Sequence, residues 1–272
     1  MPLFFSCQKA KVSAEIELDQ IKALGHAGMG DHSIYPRNSL ESVSHCLDAG
    51  ASGSEIDVQL TSDSVLVAFH DETLSTKTDL EGIIHSLTWE EIKNGHYNFG
   101  PYKKFKIMSL EDLFSSSLIS PDHILTFDCK LITESDEEEY KKLFSRALCS
   151  FIQIHDIVER VNIESSDMTF LRLLRNSDLP LNLFVYSYNA EEGLTSALTD
   201  KLTGVTIAND LIIEEQVKAL HAANIKVAIW NVEAYEENLV AVEKGPDYIQ
   251  TDDIKSLIKI KNNKAISRIS LY

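Results

Sequence analysis

Residues 53–71, GSEIDVQLTSDSVLVAFHD, decide the fold that this sequence predicts. Glu55 and Asp57 hold alternate positions in the first half, so both side chains lie on one face of a predicted strand. A turn at Thr61–Ser64 separates this strand from a second one that runs into His70. The two strands are too close for a parallel crossover and must form an antiparallel hairpin, in which an even-numbered loop places His70 opposite Glu55.

Other residues able to do chemistry stand in four short stretches: Gly25-His26-Ala27-Gly28, Pro36-Arg37-Asn38-Ser39, Phe127-Asp128-Cys129-Lys130 and Ile229-Trp230-Asn231-Val232. Carboxylates grouped without a thiolate suit a hard divalent cation, and two nearby histidines suit proton transfer. Unpaired acids inside a sheet are costly, which favours a cation site for Glu55 and Asp57 over an exposed strand face. Asp128 and Lys130 are open to two interpretations, a buried ion pair or contacts to metal and phosphate.

Strand and helix signals alternate along the chain from residue 21. The predicted strands are Ile21–Gly25, Ser54–Leu60, Val65–Phe69, Ile124–Cys129, Arg160–Glu164, Leu181–Tyr186, Gly204–Ala208, Lys226–Val232 and Tyr248–Thr251. The first helix is expected to start with a capping box of Asn38 and Glu41 and to end at Gly50. Further capping boxes are expected at Thr88/Glu91 and Ser109/Asp112.

This alternation predicts an α/β protein with a TIM-type (β/α)8 barrel, and the hairpin at residues 54–70 accounts for the ninth strand. A doubly wound open sheet is the alternative, weakened because no glycine-rich phosphate loop follows a strand. The length of 272 residues fits one domain at 21–260, with tails at 1–20 and 261–272. The net charge of −17 argues against nucleic acid as a partner.

The N-terminus leaves the compartment open. Leu3–Cys7 resembles the end of a bacterial lipoprotein signal, with Cys7 as the lipidated residue, but too few residues precede it for a charged region. The chain is therefore either a cytoplasmic protein as it stands or a lipoprotein whose start is truncated. No apolar stretch is long enough for a transmembrane segment, and Cys46, Cys129 and Cys149 are expected to be buried. The oligomeric state is left open.

Taken together, these stretches resemble the glycerophosphodiester phosphodiesterase family over about Leu24–Leu257. That family carries His-Arg-Gly, Pro-Glu-Asn, Glu-x-Asp-Val, Phe-His-Asp, Glu-x-Lys and Trp-Thr-Val in this order, and Gly50–Asp71 is the most specific match. The resemblance implies a barrel of the phospholipase C-like type. Its activity would be metal-dependent hydrolysis of glycerophosphodiesters, or related lysophospholipids, to an alcohol and glycerol phosphate.

The resemblance also implies a role for each matching residue. Glu55, Asp57 and Asp128 would hold one divalent cation, Mg²⁺ or Ca²⁺ with Mn²⁺ compatible; His26 and His70 would be the acid and base; Lys130 would contact the phosphate; and Trp230 would line the pocket near the alcohol. A small phosphodiester is the expected binding partner.

Several positions depart from the family pattern. Ala27 replaces an arginine that would bind phosphate, Arg37 replaces a glutamate, and Asp128 replaces a longer glutamate. Ser166 stands for a phenylalanine and Asn231 for a threonine. We hypothesise that Arg37, in the same loop, supplies the guanidinium missing at position 27; an ordinary surface arginine is the alternative.

Two other functions stay open, the second because of the departures at Ala27 and Arg37. One is a phospholipase resembling sphingomyelinase D on the same barrel. The other is a catalytically impaired relative that binds a phosphorylated ligand.

Overall fold

Eight parallel strands close into a barrel in this computed structural model, which describes residues 18–98 and 100–263. The described part holds β1 (Lys22–Gly25), β2 (Gly53–Leu60), β3 (Leu66–Ala68), β4 (Met108–Ser109), β5 (Ile124–Cys129), β6 (Val161–Ser165), β7 (Asn182–Ser187), β8 (Gly204–Ala208), β9 (Lys226–Trp230) and β10 (Tyr248–Thr251). All except β3 and β4 belong to the barrel, which closes because β1 pairs in parallel with both β2 and β10. The predicted TIM-type barrel is confirmed, and the doubly wound alternative is wrong.

Helices follow the barrel strands, except that α2 and α3 come after β3 and β4. They are α1 (Leu40–Asp48), α2 (Trp89–Ile92), α3 (Leu110–Ser115), α4 (Glu137–Ile154), α5 (Met168–Arg175), α6 (Ala190–Asp200), α7 (Glu214–Ala222), α8 (Tyr235–Lys244) and α9 (Ile254–Asn262). The boxes predicted at Thr88/Glu91 and Ser109/Asp112 are both present. Among the described helices, none is both long and apolar enough to cross a bilayer.

The predicted cap of α1 is wrong by one residue. Ser39 is the N-cap, and its hydroxyl accepts a hydrogen bond from the Ser42 amide. Asn38 turns away from the helix with a positive φ of 60° and binds Asp57 at the mouth of the barrel. A left-handed conformation is one that asparagine tolerates better than most residues.

The predicted register of the hairpin is also wrong by one residue. Val58 pairs with Ala68 and Leu60 with Leu66, so the loop contains the five residues Thr61–Val65. The Thr61 hydroxyl closes this loop by accepting from the Val65 amide at 2.8 Å. Because a shift of one residue reverses the faces of a strand, His70 does not lie opposite Glu55. It follows the end of β3 instead.

Residues 69–107 form an insertion that the sequence analysis did not predict as a unit. It contains α2 and short 3₁₀ turns, and β4 returns from it to pair with β3. Its apolar side chains form a separate cluster that includes Phe69, Tyr97 and Phe105. Through the Tyr97 hydroxyl, which donates to the Arg37 carbonyl at 2.8 Å, the insertion supports the loop between β1 and α1.

The main core lies between the strands and the surrounding helices. In β2, Ile56, Val58 and Leu60 belong to this core, whereas Glu55 and Asp57 alternate with them and face the barrel interior. Cys46 and Cys129 are buried free thiols as expected, and Cys149 is only partly buried. Cys7 and most of both predicted tails lie outside the described residues.

Candidate active site

Three carboxylates meet at the carboxyl ends of β2 and β5. One oxygen from each of Glu55, Asp57 and Asp128 lies within 4.8 Å of the others. Asp57 and Asp128 are register partners on the paired strands, and Glu55 is on the same face of β2. Two oxygens on opposite sides of a cation with bonds of 2.0–2.6 Å lie roughly 4–5 Å apart, so the donor set fits a shared divalent ion.

Two cationic side chains, those of Lys130 and Arg37, only partly neutralise the charge of these three carboxylates. Lys130 Nζ lies 3.1 Å from Asp57 Oδ1 and 2.6 Å from Asp128 Oδ2, and Arg37 lies 3.8 Å from Asp57. Burial tends to raise the pKa of Asp57, but Lys130 and Arg37 outweigh it and hold that pKa low. Burial together with Asp57 and Asp128 raises the pKa of Glu55 well above its ordinary value. The cluster therefore lacks positive charge, which a bound cation would supply.

His26 stands between a carboxylate and a guanidinium. Its Nδ1 lies 2.6 Å from Asp252 Oδ1, and its Nε2 lies 3.0 Å from a terminal nitrogen of Arg37. An arginine has only donors, so Nε2 must be the acceptor and Nδ1 carries the proton that is donated to Asp252. Burial opposes ionisation of Asp252, yet the hydrogen bond from His26 and the nearby positive charge of Arg37 hold the pKa of Asp252 below its ordinary value.

His70 follows β3, the second strand of the hairpin, and its side chain reaches the same cavity. Its side chain is half exposed, and its Nδ1 lies 2.8 Å from Asp71 Oδ1. The structure therefore brings His70 to the carboxylates even though the predicted register was wrong.

A cavity of about 500 Å³ connects these groups. It is lined by every residue that the sequence analysis proposed for the site, namely His26, Arg37, Glu55, Asp57, His70, Asp128, Lys130 and Trp230. Two buried donors in it, Arg37 Nε and Trp230 Nε1, have no hydrogen-bond partner. Both are suited to bind an oxygen atom of a ligand, since an unpaired buried donor is costly.

Glu164 was not predicted from the sequence as a site residue, and Asp252 was given no role there. Glu164 lies at the floor of the cavity on β6, where its Oε1 accepts from Thr206 Oγ1 and Gln250 Nε2, each at 2.7 Å. Burial, reinforced by Asp128, raises the pKa of Glu164 to about 8. Glu164 could have been found because it is an acid inside a predicted strand. Asp252 could have been found because it comes just after the last predicted strand.

Glu164→Gln is expected to stabilise the protein at pH 9 by on the order of a few kcal/mol. The carboxyl pKa is 4.5 when unperturbed and about 8 in the fold, so the folded state holds the proton more tightly. This contribution to stability is present below about pH 4.5 and is lost as the pH rises through 8. Glutamine is neutral and can still accept from Thr206 and Gln250.

Urea unfolding with chelator at pH 5, 7 and 9 measures this effect. The free energy of unfolding should fall more with pH in the wild type than in Glu164→Gln. Parallel pH dependences in the two proteins would contradict a raised pKa at this residue.

Comparisons with known proteins agree on one family. The sequence profile described as the glycerophosphoryl diester phosphodiesterase family matches residues 26–256. A glycerophosphodiester phosphodiesterase of Caldanaerobacter subterraneus is 29% identical over 249 residues, which cover 88% of this chain and 98% of that protein.

Solved structures show the same fold. A phosphodiesterase of Oleispira antarctica, in complex with the product sn-glycerol-3-phosphate, has a TM-score of 0.77 at 20% identity and covers 89% of this chain and 97% of its own. A glycerophosphodiester phosphodiesterase of Parabacteroides distasonis has a TM-score of 0.74 at 21% identity, and the match covers 90% of this chain and 98% of that protein.

Proposed function

This chain belongs to the glycerophosphoryl diester phosphodiesterase family and is a phosphoric diester hydrolase, and on that premise we propose that it cleaves glycerophosphodiesters with one divalent cation and a histidine pair. The products would be an alcohol and glycerol phosphate. The observation that carries this proposal is the convergence of three carboxylates, two histidines and two cationic side chains on one cavity.

Glu55, Asp57 and Asp128 would hold the cation. When bound, it would neutralise the anionic oxygens of the phosphodiester, whose charge otherwise repels a nucleophile. An all-carboxylate donor set favours Mg²⁺ or Ca²⁺ and is compatible with Mn²⁺. The negative charge around Glu55, which the nearby cationic side chains do not fully neutralise, supports this assignment.

His26 is the proposed general base. The Asp252 carboxylate accepts from Nδ1 and fixes the tautomer in which Nε2 carries the lone pair. Nε2 can then take a proton from water or from a neighbouring glycerol hydroxyl, once Arg37 leaves it for the phosphate. His70 is the proposed general acid, which would protonate the departing alcohol.

Lys130 and Arg37 are the proposed phosphate ligands. Only 22% of the Arg37 side chain is exposed, and its Nε is buried without a partner. This low exposure and the unpaired Nε favour the hypothesis that Arg37 is a relocated phosphate-binding cation over the alternative of a surface arginine. Ala27 itself is fully buried with a positive φ of 49°, and its amide donates to Glu55.

Arg37→Ala is expected to raise KM for glycerophosphocholine by about 10-fold or more, because a charge-assisted hydrogen bond contributes about 1.5–3 kcal/mol. kcat should fall less, since the phosphate carries its negative charge in both the ground state and the transition state. Arg172→Ala is a matched control, because Arg172 is paired with Asp200 on the surface, outside the cavity. An unchanged KM in Arg37→Ala would refute the relocation hypothesis.

Product analysis tests the proposed function against its alternatives. Purified protein is incubated with glycerophosphocholine or with sphingomyelin, and glycerol phosphate, ceramide phosphate and choline are measured. The proposal requires glycerol phosphate and choline from the first substrate. Turnover of sphingomyelin alone would favour the phospholipase alternative, and binding without turnover of either would favour the impaired relative.

A further inference from the structure

A second cavity, of about 430 Å³, lies next to the candidate site, between the insertion and the loop that joins β1 to α1. The loop contributes Asp31 and Arg37 to its lining, and the insertion contributes Asp71, Lys77 and Tyr102. Sites for small molecules have volumes of roughly 300–1,000 Å³, so this space is large enough for part of a substrate. We name it the insertion cavity.

The insertion cavity adjoins the candidate active site. Arg37 and His70 line both cavities, so they form the boundary between them. In the proposed function Arg37 binds the phosphate and His70 protonates the oxygen of the departing alcohol. The rest of that alcohol must extend from this oxygen, and the insertion cavity begins at His70. The glycerol moiety would then occupy the first cavity beside Trp230, a residue that the resemblance placed near the alcohol.

The charges on the wall of the insertion cavity are balanced. A terminal nitrogen of Arg37 lies 3.3 Å from Asp31 Oδ2. Burial tends to raise the pKa of Asp71, but hydrogen bonds from neighbouring side chains and the positive charge of Lys77 hold that pKa below its ordinary value. Two carboxylates are therefore accompanied by two cationic side chains, and the wall offers both hydrogen-bond acceptors and donors.

This balance favours a neutral alcohol with several hydroxyl groups. Hydroxyls both donate and accept hydrogen bonds, so those of one polyol can bind the carboxylate of Asp31 and the ammonium of Lys77. Both residues are exposed and are therefore accessible to a ligand. A choline group has no hydrogen-bond donor once its oxygen is esterified, and the two carboxylates that could attract its charge already have cationic partners.

We propose that the insertion cavity binds the departing alcohol and selects a neutral polyhydroxylated one, such as a cyclitol, with Asp31 and Lys77 as the specificity-determining residues. The proposal rests on the proposed function. In the net reaction a water oxygen bonds to phosphorus while the bond from phosphorus to the oxygen of the polyol breaks. One proton of the water ends on that oxygen, so the products are the free polyol and glycerol phosphate.

The experiment measures kcat/KM for three esters of glycerol phosphate that differ only in the alcohol, which is inositol, choline or methanol. Methanol is too small to fill the insertion cavity, so its ester reports on the rest of the site. The variant is the double substitution Asp31→Ala with Lys77→Ala, which leaves the net charge unchanged. Loss of hydrogen bonds at two positions should lower kcat/KM for the inositol ester about 10-fold more than for the methyl ester, and the choline ester should follow the methyl ester within about 2-fold.

The matched control is Glu90→Ala with Lys93→Ala, which also removes one acid and one lysine. These two residues form an exposed ion pair on α2 of the insertion and line neither cavity. The control should leave the ratios of kcat/KM among the three esters unchanged.

The contrary outcomes are distinct. No loss, or an equal loss for all three esters, in the Asp31 and Lys77 double variant would overturn the insertion cavity as an alcohol site and leave the proposed function standing. A loss largest for the choline ester would overturn the neutral class and indicate a cationic alcohol. Turnover of none of the esters by the wild type would remove the proposed function itself.

Discussion

His26→Ala is expected to lower kcat for glycerophosphocholine by about 10²–10⁴-fold, the range for loss of a general acid or base. KM should change little, because the proton moves only in the transition state. Stopped assays at a series of substrate concentrations measure both kcat and KM.

Two further variants make this result specific to the proposed role. Asp252→Asn removes the charge that orients the imidazole and should lower kcat less than His26→Ala does, with the fold retained. His96→Ala is the matched control, because His96 is a partly exposed histidine of the insertion, near Asp79. A His26→Ala enzyme with wild-type kcat would eliminate His26 as the base.

Asp57→Asn is expected to lower kcat/KM by at least about 10³-fold, since several kcal/mol of charge stabilisation by a cation would be lost. Asp57 is central to the cluster, because it lies next to Asp128 and meets Lys130 and Asn38 as well. Calorimetric titration should show the loss of divalent-cation binding in the same variant. Asp200→Asn, which changes a surface partner of Arg172, controls for the loss of one acid.

Retained cation binding in Asp57→Asn would mean that the ion lies elsewhere. Retained activity with lost binding would mean that hydrolysis does not need the ion. Either result would leave the three carboxylates as a charged cluster without the proposed role.

The barrel was predictable because its signals are local. Most of the strands are short segments rich in apolar residues, and β2 carries acids at alternate positions, which only an interior polar site explains well. The carboxyl ends of parallel strands meet at one end of a barrel, so His26, Asp57 and Asp128 were expected together. The structure places them there.

The register and the first cap were not predictable from local rules. A loop of four or five residues fits the same sequence around Thr61–Val65, and the side-chain hydrogen bonds of Thr61 decide for five. Asn38 and Ser39 are both good N-caps, and the competition is settled by Asp57, 19 residues away, which binds the Asn38 amide.

Arg37 shows the limit of pattern comparison. The sequence shows that an arginine occupies this motif position, but it does not show where the long side chain points. Only the fold places its guanidinium beside His26 and Asp57, while Tyr97 from the insertion binds its backbone. The phosphate role of Arg37 stays a prediction.

The most direct measurement is the initial rate of glycerophosphocholine hydrolysis by protein stripped with chelator, followed by add-back of Mg²⁺, Ca²⁺ or Mn²⁺. We expect the rate to vanish on stripping and to return as one ion binds per chain, with no return in Asp57→Asn. An undiminished rate in excess chelator would contradict the account, because hydrolysis would then not depend on a cation held by the carboxylates at the barrel mouth.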